Sequence, residues 1–341
     1  MKEDEKLPIV NDESPTEVQK KGSGGWRKWA AVAGILGGGG LAVHAILTRQ
    51  ENKHLRPPGR MIDVNGHLMH IFATGSGGPT VVLETGASGY FGTWEWVQQE
   101  VGKHTRVASY DRAGLGFSEK TPGNRDAASI ARDLCALLER SGEKPPYILV
   151  GHSYGGLLVM AFADLYPEQT AGLVLVDPSH PDQLSRSPEL RKSMQNFRNF
   201  FHVASAASHF GVMRVTDLLS SMTDGLSGSE RARSRVFFVS GRHLKSSARE
   251  LDAWKQTAEE TRSVRLGNLP LLILSASEPQ VQWVKEFQEM HDEMLSLSTS
   301  STHRIVPGAE HLNIVTRHEN ALHVSRGILE VVDEVRRRSN A

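Results

Sequence analysis

One serine of this sequence is flanked by glycines in a pattern that suits a nucleophile. Ser153 is the centre of GHSYG (151–155), which follows the apolar run YILV (147–150) and precedes the helical run LLVMAFADLY. A sharp turn between a buried strand and a helix exposes such a hydroxyl, and small neighbours avoid clashes with the adjacent backbone. A serine hydroxyl becomes a strong nucleophile only when a base removes its proton. The pattern therefore predicts nucleophilic catalysis by Ser153.

A base for this serine, and an acid to orient the base, are found later in the chain. His311, in VPGAEHLNIV, is expected in a loop at the end of a late strand. The other late histidines fall at a strand start, before a helix or within it: His303, His318 and His323. Two acids remain open, because Asp177 ends the run AGLVLV and Glu278 follows LPLLILSAS. We favour Asp177, whose backbone the sheet would fix, over the longer side chain of Glu278.

Backbone groups are predicted to hold the negative oxygen that develops during acyl transfer. The N–H of Tyr154 directly follows the nucleophile, and the loop ETGASG (84–89) offers the N–H of Ala87. The single cysteine, Cys135, falls on the apolar side of a helical pattern, and the sequence has no metal-type spacing of cysteine and histidine. We therefore expect a site built from protein groups, without a metal.

Short apolar runs alternate with helical patterns after residue 58. The runs are TVVLE (80–84), TRVASY (105–110), YILV (147–150), AGLVLV (171–176), LPLLILS (269–275) and HRIV (303–306). Unalternated runs of this kind suit strands that are buried on both faces of a parallel sheet. MIDV and HLMHIFA flank Asn65-Gly66, which is a signal for a two-residue hairpin. The sequence therefore predicts an α/β fold whose mostly parallel sheet opens with an antiparallel hairpin.

A long interval without convincing strands interrupts this alternation. Residues 179 to about 267 contain amphipathic helical patterns, and VFFV is their one strand-like run. An excursion of this length is better explained as a helical insertion than as a loop. Because it follows the end of a strand, we expect it to overhang the ligand-binding edge of the sheet.

The N-terminal segment differs in character from the rest of the chain. Residues 1–28 are polar and predict a disordered tail, and residues 49–59 predict a linker. Between them, residues 29–48 (WAAVAGILGGGGLAVHAILT) carry no formal charge over 20 residues, which is enough to cross a ~30 Å hydrocarbon core. We expect a single-pass transmembrane helix, with a cleaved signal peptide and a flexible glycine linker as alternatives. Lysine and arginine lie on both sides, so the orientation stays open.

The overall charge of the chain gives no indication of a nucleic-acid partner. The 341 residues include 39 lysines and arginines and 39 aspartates and glutamates. No overall field of either sign favours a polyanionic ligand, so we expect no nucleic-acid partner. The length suits one large domain with appendages, or two domains of modest size.

From about Arg60 to the C-terminus, the sequence resembles the α/β-hydrolase fold-1 family. The resemblance is carried by PTVVLETG, SYDRAGLGFS, YILVGHSYGG, GLVLVDPSHP and the late AEH. It implies a domain over 60–341, with an eight-stranded sheet and a helical cap between the sixth and seventh strands at about 179–267. It also implies that neither a cofactor nor a metal is used. The motif GLVLVDPSHP matches members whose acid follows the sixth strand, which again favours Asp177.

Two positions depart from the family pattern. The usual His-Gly of the oxyanion loop is Thr85-Gly86, and the segment after the seventh strand is Ser277-Glu278-Pro279. Backbone donors stay available in the first case, whereas the second leaves the identity of the acid open. The turn in YDRAGLGFS is expected to be structural, with Asp111, Arg112, Gly114 and Gly116 shaping it.

The resemblance implies a serine hydrolase that cleaves a carboxylic ester or a related acyl bond of a small molecule, and the uncharged run at residues 29–48 adds the expectation that it is anchored in a membrane. Serine at position 153 argues against the family's dehalogenase and epoxide hydrolase chemistries, which use a carboxylate nucleophile. Peptidase, C–C bond hydrolase and perhydrolase activities remain open, since a fold does not decide among them. The alternative from another class is a membrane-tethered binding module that has kept the scaffold without catalysis.

Overall fold

An antiparallel hairpin opens the sheet, as the sequence signal predicts. The computed structural model describes Ile46 and residues 55–216, 219–277 and 284–341. Strands Arg60–Val64 (β1) and His67–Thr74 (β2) pair antiparallel. Asn65 and Gly66 between them have φ of 54° and 86°. A two-residue type I′ turn requires such left-handed values at both positions, which is why asparagine followed by glycine suits it.

Six further strands follow the hairpin. They are β3 (Thr80–Glu84), β4 (Val107–Tyr110), β5 (Tyr147–His152), β6 (Thr170–Val176), β7 (Leu271–Ala276) and β8 (Ser301–Val306). All eight lie in one sheet in the order β1-β2-β4-β3-β5-β6-β7-β8. Strand β2 pairs antiparallel with β4, and each pair of neighbours from β4 to β8 is parallel. The predicted mostly parallel, eight-stranded sheet is confirmed.

Helices connect the strands and form the interval between β6 and β7. Those outside this interval are α1 (Glu95–Val101), α2 (Ala127–Ser141), α3 (Tyr154–Leu165), α10 (Val284–Glu293), α11 (Asn313–Thr316) and α12 (His318–Ser339). Those within it are α4 (Gln183–Arg186), α5 (Pro188–Ser208), α6 (Val212–Thr216), α7 (Gly228–Phe238), α8 (Gly241–Asp252) and α9 (Trp254–Thr261). The family resemblance implies such a helical cap after the sixth strand.

Helix α2 shows how local sequence sets the bounds of an element. Asp126 precedes the helix with extended backbone, and its carboxylate accepts a hydrogen bond from the N–H of Ser129. That bond satisfies one of the N–H groups that have no partner in the first turn. Gly142 follows the helix with φ of 76°, the left-handed conformation that ends helices and that glycine adopts without steric cost. The apolar face of helix α2 packs on the sheet.

The sheet separates two apolar layers. Alternate residues of β3 point to opposite faces, because side chains of a strand alternate. Val82 packs with residues of α2 and α3, whereas Val81 and Leu83 pack with residues of α1 and α12. Both faces of the central strands are therefore buried, which explains their continuous apolar sequence.

A third apolar cluster joins the cap to the sheet. Leu157 and Leu158 of α3 pack against Phe201 of α5, Leu244 of α8 and Trp254 of α9. The strand-like run VFFV does not form a strand, because its first three residues complete helix α7 and Val239 follows that helix. Two of its residues, Phe237 and Phe238, are buried within the cap, so burial rather than strand pairing explains the apolar run.

The predicted transmembrane helix, residues 29–48, lies outside the described residues except for Ile46. The predicted tail, residues 1–28, also lies outside them, as do residues 49–54 of the predicted linker. Among the residues that the structure describes, no helix combines the length and the apolar character needed to cross a membrane.

Candidate active site

Ser153 lies in a strained turn between β5 and α3. Its backbone has φ of 54° and ψ of −124°, a conformation that L-residues adopt only when the surroundings enforce it. Its N–H donates to the carbonyl of Val176 at 3.1 Å, and its own carbonyl accepts from Ser179 at 3.0 Å. A Cβ on Gly155 would lie 2.6 Å from the carbonyl oxygen of Thr85. The glycine therefore allows the helix to begin close against the end of β3.

His311 lies in the loop between β8 and α11 and contacts both other residues of the predicted triad. Its Nε2 lies 3.0 Å from Ser153 Oγ. Its Nδ1 lies 2.5 Å from Asp177 Oδ2. Since a carboxylate accepts hydrogen bonds, the Nδ1–H donates to Asp177, which leaves Nε2 free to accept the serine proton. The structure thus brings together three residues that lie far apart in the sequence.

Asp177 follows β6 and is fixed at both its backbone and its carboxylate. Its φ is 43°, and its N–H donates to the carbonyl of Leu274 at 2.6 Å. Oδ1 accepts from the N–H of Ala276 at 2.9 Å. Burial raises the pKa of Asp177, but the hydrogen bond and charge of His311 outweigh it and lower that pKa to about 2. The alternative acid, Glu278, lies outside the described residues.

His152, which the sequence analysis did not single out, holds the backbone of His311. Its Nε2 lies 2.8 Å from the carbonyl oxygen of His311, so the Nε2–H donates. Burial and the neighbouring His311 lower the pKa of His152 to about 3. The ring is therefore neutral near pH 7 and acts as a fixed donor.

The two predicted oxyanion donors lie beside the nucleophile. Tyr154 is the first residue of α3, so its N–H has no acceptor within the helix. Ala87 lines the same cavity as Ser153, and its N–H has no acceptor among the described residues. The loop of Ala87 runs against the nucleophile, since a Cβ on Gly86 would lie 3.2 Å from Ser153 Cβ.

His291 of α10 reaches the site from a position that no local motif indicates. Its Nε2–H donates to the carbonyl of Pro178 at 2.8 Å, directly after the predicted acid. Its Nδ1 lies 2.6 Å from Ser275 Oγ, which lies 2.7 Å from His303 Nε2. Burial lowers the pKa of His291. This chain of hydrogen-bonded side chains ends at Asp292, whose Oδ1 lies 2.6 Å from His303 Nδ1.

A cavity of about 440 Å³ opens in front of Ser153 and His311. Apolar side chains of the cap line it: Leu190, Met194, Phe197, Met222, Phe238 and Trp254. Its described lining includes no lysine or arginine. Among the described residues, no group of three or more histidine, cysteine, aspartate or glutamate side chains could hold a metal ion. Because apolar side chains of the cap line the cavity, it can enclose an apolar group next to the serine.

Asp111, in the turn after β4, has a structural role, as predicted. Its carboxylate accepts hydrogen bonds from the N–H groups of Phe91 and Phe117 at 2.8 and 3.0 Å. Gly116 has φ of 46°, and a Cβ there would lie 2.3 Å from Asp111 Cγ. Arg112 differs, because its guanidinium reaches the oxyanion loop at Gly86. The residue types of the turn could not have indicated that contact, since the acceptor on Gly86 is a main-chain oxygen.

Comparisons with known proteins agree with this architecture. The family model described as alpha/beta hydrolase fold matches residues 79–317. The uncharacterized protein YqjL of Bacillus subtilis is 28% identical over 237 residues, which cover 69% of this chain and 76% of that protein. The 2-hydroxy-6-oxo-2,4-heptadienoate hydrolase of Pseudomonas putida is 31% identical over 121 residues, which cover 35% of this chain and 44% of that enzyme.

A solved structure shares the fold at lower sequence similarity. The thermophilic esterase from Thermogutta terrifontis aligns with a TM-score of 0.61 and 24% identity. The alignment covers 81% of this chain and 97% of that one. At this level of identity the likeness shows the fold alone.

Proposed function

This chain belongs to the alpha/beta hydrolase family, and we propose that it is a serine hydrolase that cleaves carboxylic esters or related acyl bonds. One observation carries the proposal, namely the contact of His311 with Ser153 Oγ at 3.0 Å and with Asp177 Oδ2 at 2.5 Å. In such an arrangement the imidazole accepts the serine proton, and the carboxylate stabilises the imidazolium that forms.

The first half of the reaction forms an acyl-enzyme. Ser153 Oγ attacks the carbonyl carbon of the ester while its proton moves to His311 Nε2. The carbonyl oxygen gains the negative charge, and the N–H groups of Ala87 and Tyr154 donate to it. The tetrahedral intermediate then expels the alcohol oxygen, which takes the proton from His311.

The second half returns the enzyme to its starting state. Water enters the site of the departed alcohol, and His311 Nε2 removes its proton as the oxygen attacks the acyl carbon. The same backbone donors stabilise the second tetrahedral intermediate. Its collapse breaks the bond to Ser153 Oγ, which recovers a proton from His311, and releases the carboxylic acid.

The cavity favours an uncharged, apolar acyl group. Most of the cap side chains that line it are apolar, with Gln183 and Ser193 as uncharged polar groups, and the described lining offers no lysine or arginine to pair with a carboxylate of the substrate. A carboxylate moved into such surroundings without a partner loses far more hydration than it regains. The relative from Pseudomonas putida is named for a dienoate, a substrate that carries that charge. We therefore favour ester hydrolysis over C–C bond hydrolysis of an anionic substrate.

The proposal includes attachment to a membrane through residues 29–48. Its support is the sequence, which carries no formal charge over these 20 residues and has the length of a membrane span. A hydrolase tethered in this way would act close to lipid, where apolar esters concentrate.

A fluorophosphonate probe tests the nucleophile on the intact protein. We expect labelling of the wild type, loss of labelling in Ser153→Ala, and full labelling in Ser229→Ala, in which an exposed serine of α7 is removed. Turnover of p-nitrophenyl esters should disappear in parallel with labelling, because both require the Ser153 hydroxyl. Esters of graded acyl length, with a hemisuccinate as the charged comparison, then report the preferred acyl group.

Two outcomes would contradict the proposal. Labelling that persists in Ser153→Ala would place the reactive group elsewhere. A folded wild-type protein that neither labels nor turns over any of these esters would favour the non-catalytic binding module.

A further inference from the structure

We propose that Arg112 and Glu250 are positioning residues that orient the N–H of Ala87 towards the oxyanion. We further propose that this orientation depends on the position of cap helix α8 against the loop 85–89. The proposal rests on the proposed function, because it assigns the Ala87 N–H to the developing oxyanion. Neither side chain lines the cavity in front of Ser153. Both act through the loop 85–89.

The guanidinium of Arg112 is buried and fully hydrogen-bonded. Its side chain is 1% exposed. One edge of the guanidinium donates two hydrogen bonds to Glu250, from Nε to Oε1 at 2.7 Å and from Nη2 to Oε2 at 2.8 Å. The other side donates to Glu84 at 2.5 Å, to the carbonyl of Thr85 at 2.8 Å and to the carbonyl of Gly86 at 2.9 Å. Since guanidinium has five N–H groups, no donor is left over.

The bond to Gly86 fixes the direction of the next N–H. A trans peptide is planar, so the carbonyl of Gly86 and the N–H of Ala87 point in opposite directions. The same carbonyl also accepts from Gly89 at 3.1 Å. With the oxygen held by Arg112 and Gly89, the Ala87 N–H is directed away from the guanidinium. It has no acceptor among the described residues, and Ala87 lines the cavity in front of Ser153.

Helix α8 of the cap holds this loop at a second point. The buried ring of His243 contacts the carbonyl of Ser88 through Nε2 at 3.0 Å and accepts from the N–H of Gly116 at Nδ1 at 3.1 Å. Ser247 donates to Ser88 Oγ at 2.9 Å. Ser88 itself has φ of 62°. His243, Ser247 and Glu250 share one face of α8, so the cap contacts the oxyanion loop through polar groups of fixed geometry.

Where helix α8 meets the loop 85–89, Glu250 is the main ionic partner of Arg112. Glu250 is 0% exposed and forms a two-point pair with the guanidinium. Burial raises the pKa of Glu84, against the lowering effect of Arg112 and of the hydrogen bond from Tyr110. If Glu250 is made neutral, Glu84 remains beside the cation to balance it. Glu250→Gln should therefore fold, although one of its two terminal positions becomes a donor that faces a donor of Arg112.

The variants for the test are Glu250→Gln and Arg112→Lys, with Asp252→Asn as the matched control. Asp252→Asn makes the same carboxylate-to-amide change at an exposed position at the end of α8. Lysine at position 112 keeps the charge but cannot contact Glu250, Thr85 and Gly86 together. Circular dichroism and thermal unfolding establish that each variant is folded before its kinetics are compared.

The kinetic readout separates transition-state stabilisation from ordinary binding. We expect Glu250→Gln and Arg112→Lys to lower kcat for a p-nitrophenyl ester by about tenfold to a hundredfold, with KM nearly unchanged. Loss of an oxyanion donor lowers kcat by about 10²–10³, and misalignment should cost less. A trifluoromethyl ketone, which forms a tetrahedral oxyanion on the serine, should lose affinity in proportion to kcat/KM. The matching methyl ketone, which binds without forming that anion, should bind as to the wild type.

Three results would overturn or redirect the inference. If folded Glu250→Gln and Arg112→Lys keep wild-type kcat, the pair does not aim the donor. If both ketones lose affinity equally, the effect is a general loosening of the cavity. If the wild type and Asp252→Asn show no Ser153-dependent turnover, the proposed function fails, and this inference fails with it.

Discussion

The Nε2–H of His152 donates to the main-chain carbonyl oxygen of His311 at 2.8 Å, so the residue before the predicted nucleophile supports the predicted base. The two rings lie 5.1 Å apart between their centroids. This contact crosses 159 positions of sequence and connects the end of β5 to the main chain of the His311 loop.

Removal of the His152 donor should misplace His311. We expect His152→Leu to lower kcat on the order of tenfold to a hundredfold, because a small displacement of a catalytic group can cost about 10²-fold. His152→Gln, whose amide N–H reaches a position similar to Nε2, should retain more activity. The measurement is steady-state turnover of a p-nitrophenyl ester. Equal activity of the leucine variant and the wild type would show that the His311 loop holds itself in place.

The acid of the triad is tested by comparing Asp177→Asn with Glu278→Gln at saturating ester. We expect the asparagine variant to lose up to ~10⁴ in kcat, because an amide can donate to Nδ1 and so stabilise the wrong tautomer of the base. Asparagine also tolerates positive φ, and Asp177 has φ of 43°, so the backbone should persist. The glutamine variant should stay near wild type. The reverse pattern would assign the role to Glu278.

Stability should fall as the solution is acidified below the usual histidine pKa. Burial lowers the pKa of His152 from 6.5 to about 3 and that of His243 from 6.5 to about 4. As pH falls from about 6.5 to 4, the unfolded chain therefore binds protons at these positions while the folded chain does not. Each histidine should reduce the free energy of unfolding by up to ~1.4 kcal/mol per pH unit over that window. Below pH 4, the contribution of His243 levels off because the folded form also titrates.

Urea unfolding at several pH values between about 4.5 and 7 measures this slope. His243→Asn, which keeps an acceptor near Nδ1, should be less stable than wild type at neutral pH but show a shallower slope. His323→Asn changes an exposed histidine of α12 and serves as the control. An unchanged slope in the His243 variant would mean that this ring is protonated in the folded protein.

The membrane anchor can be tested by shortening the chain. Residues 55–341 should remain in the supernatant and hydrolyse esters at the wild-type rate, because the site and its supports lie within them. The full chain should stay with membranes after carbonate extraction, since about 20 uncharged residues suffice to span the hydrocarbon core. Release of the full chain by carbonate would disprove the anchor and leave the hydrolase unaffected.

The sequence predicted those parts of the fold and site whose information is local. The strand, turn and helix around Ser153 are encoded in consecutive residues, and the continuous apolar runs predict strands buried on both faces. VFFV is the exception, because a short apolar run can fill a helical core as well as a strand. The hairpin at Asn65-Gly66 follows from the φ values that only a few residue types allow.

Contacts between distant segments could not be predicted in this way. Arg112 and Glu250 are separated by 138 positions, and their pairing exists only once the cap has folded over the sheet. His291 reaches Pro178 across 113 positions, from a helix with no motif. In both cases a buried polar group must form a hydrogen bond somewhere in the fold. That requirement does not indicate from the sequence which residue the partner will be.

The backbone of Ser153, with φ of 54° and ψ of −124°, sets the proposed role of this residue against the stability of the fold. Glycine adopts such a conformation without the ~1–3 kcal/mol that other residues lose there. If Ser153 is the proposed nucleophile, glycine at this position would relieve the strain but would also remove the hydroxyl that turnover requires. Stability and turnover would then make opposite demands on the residue type at position 153.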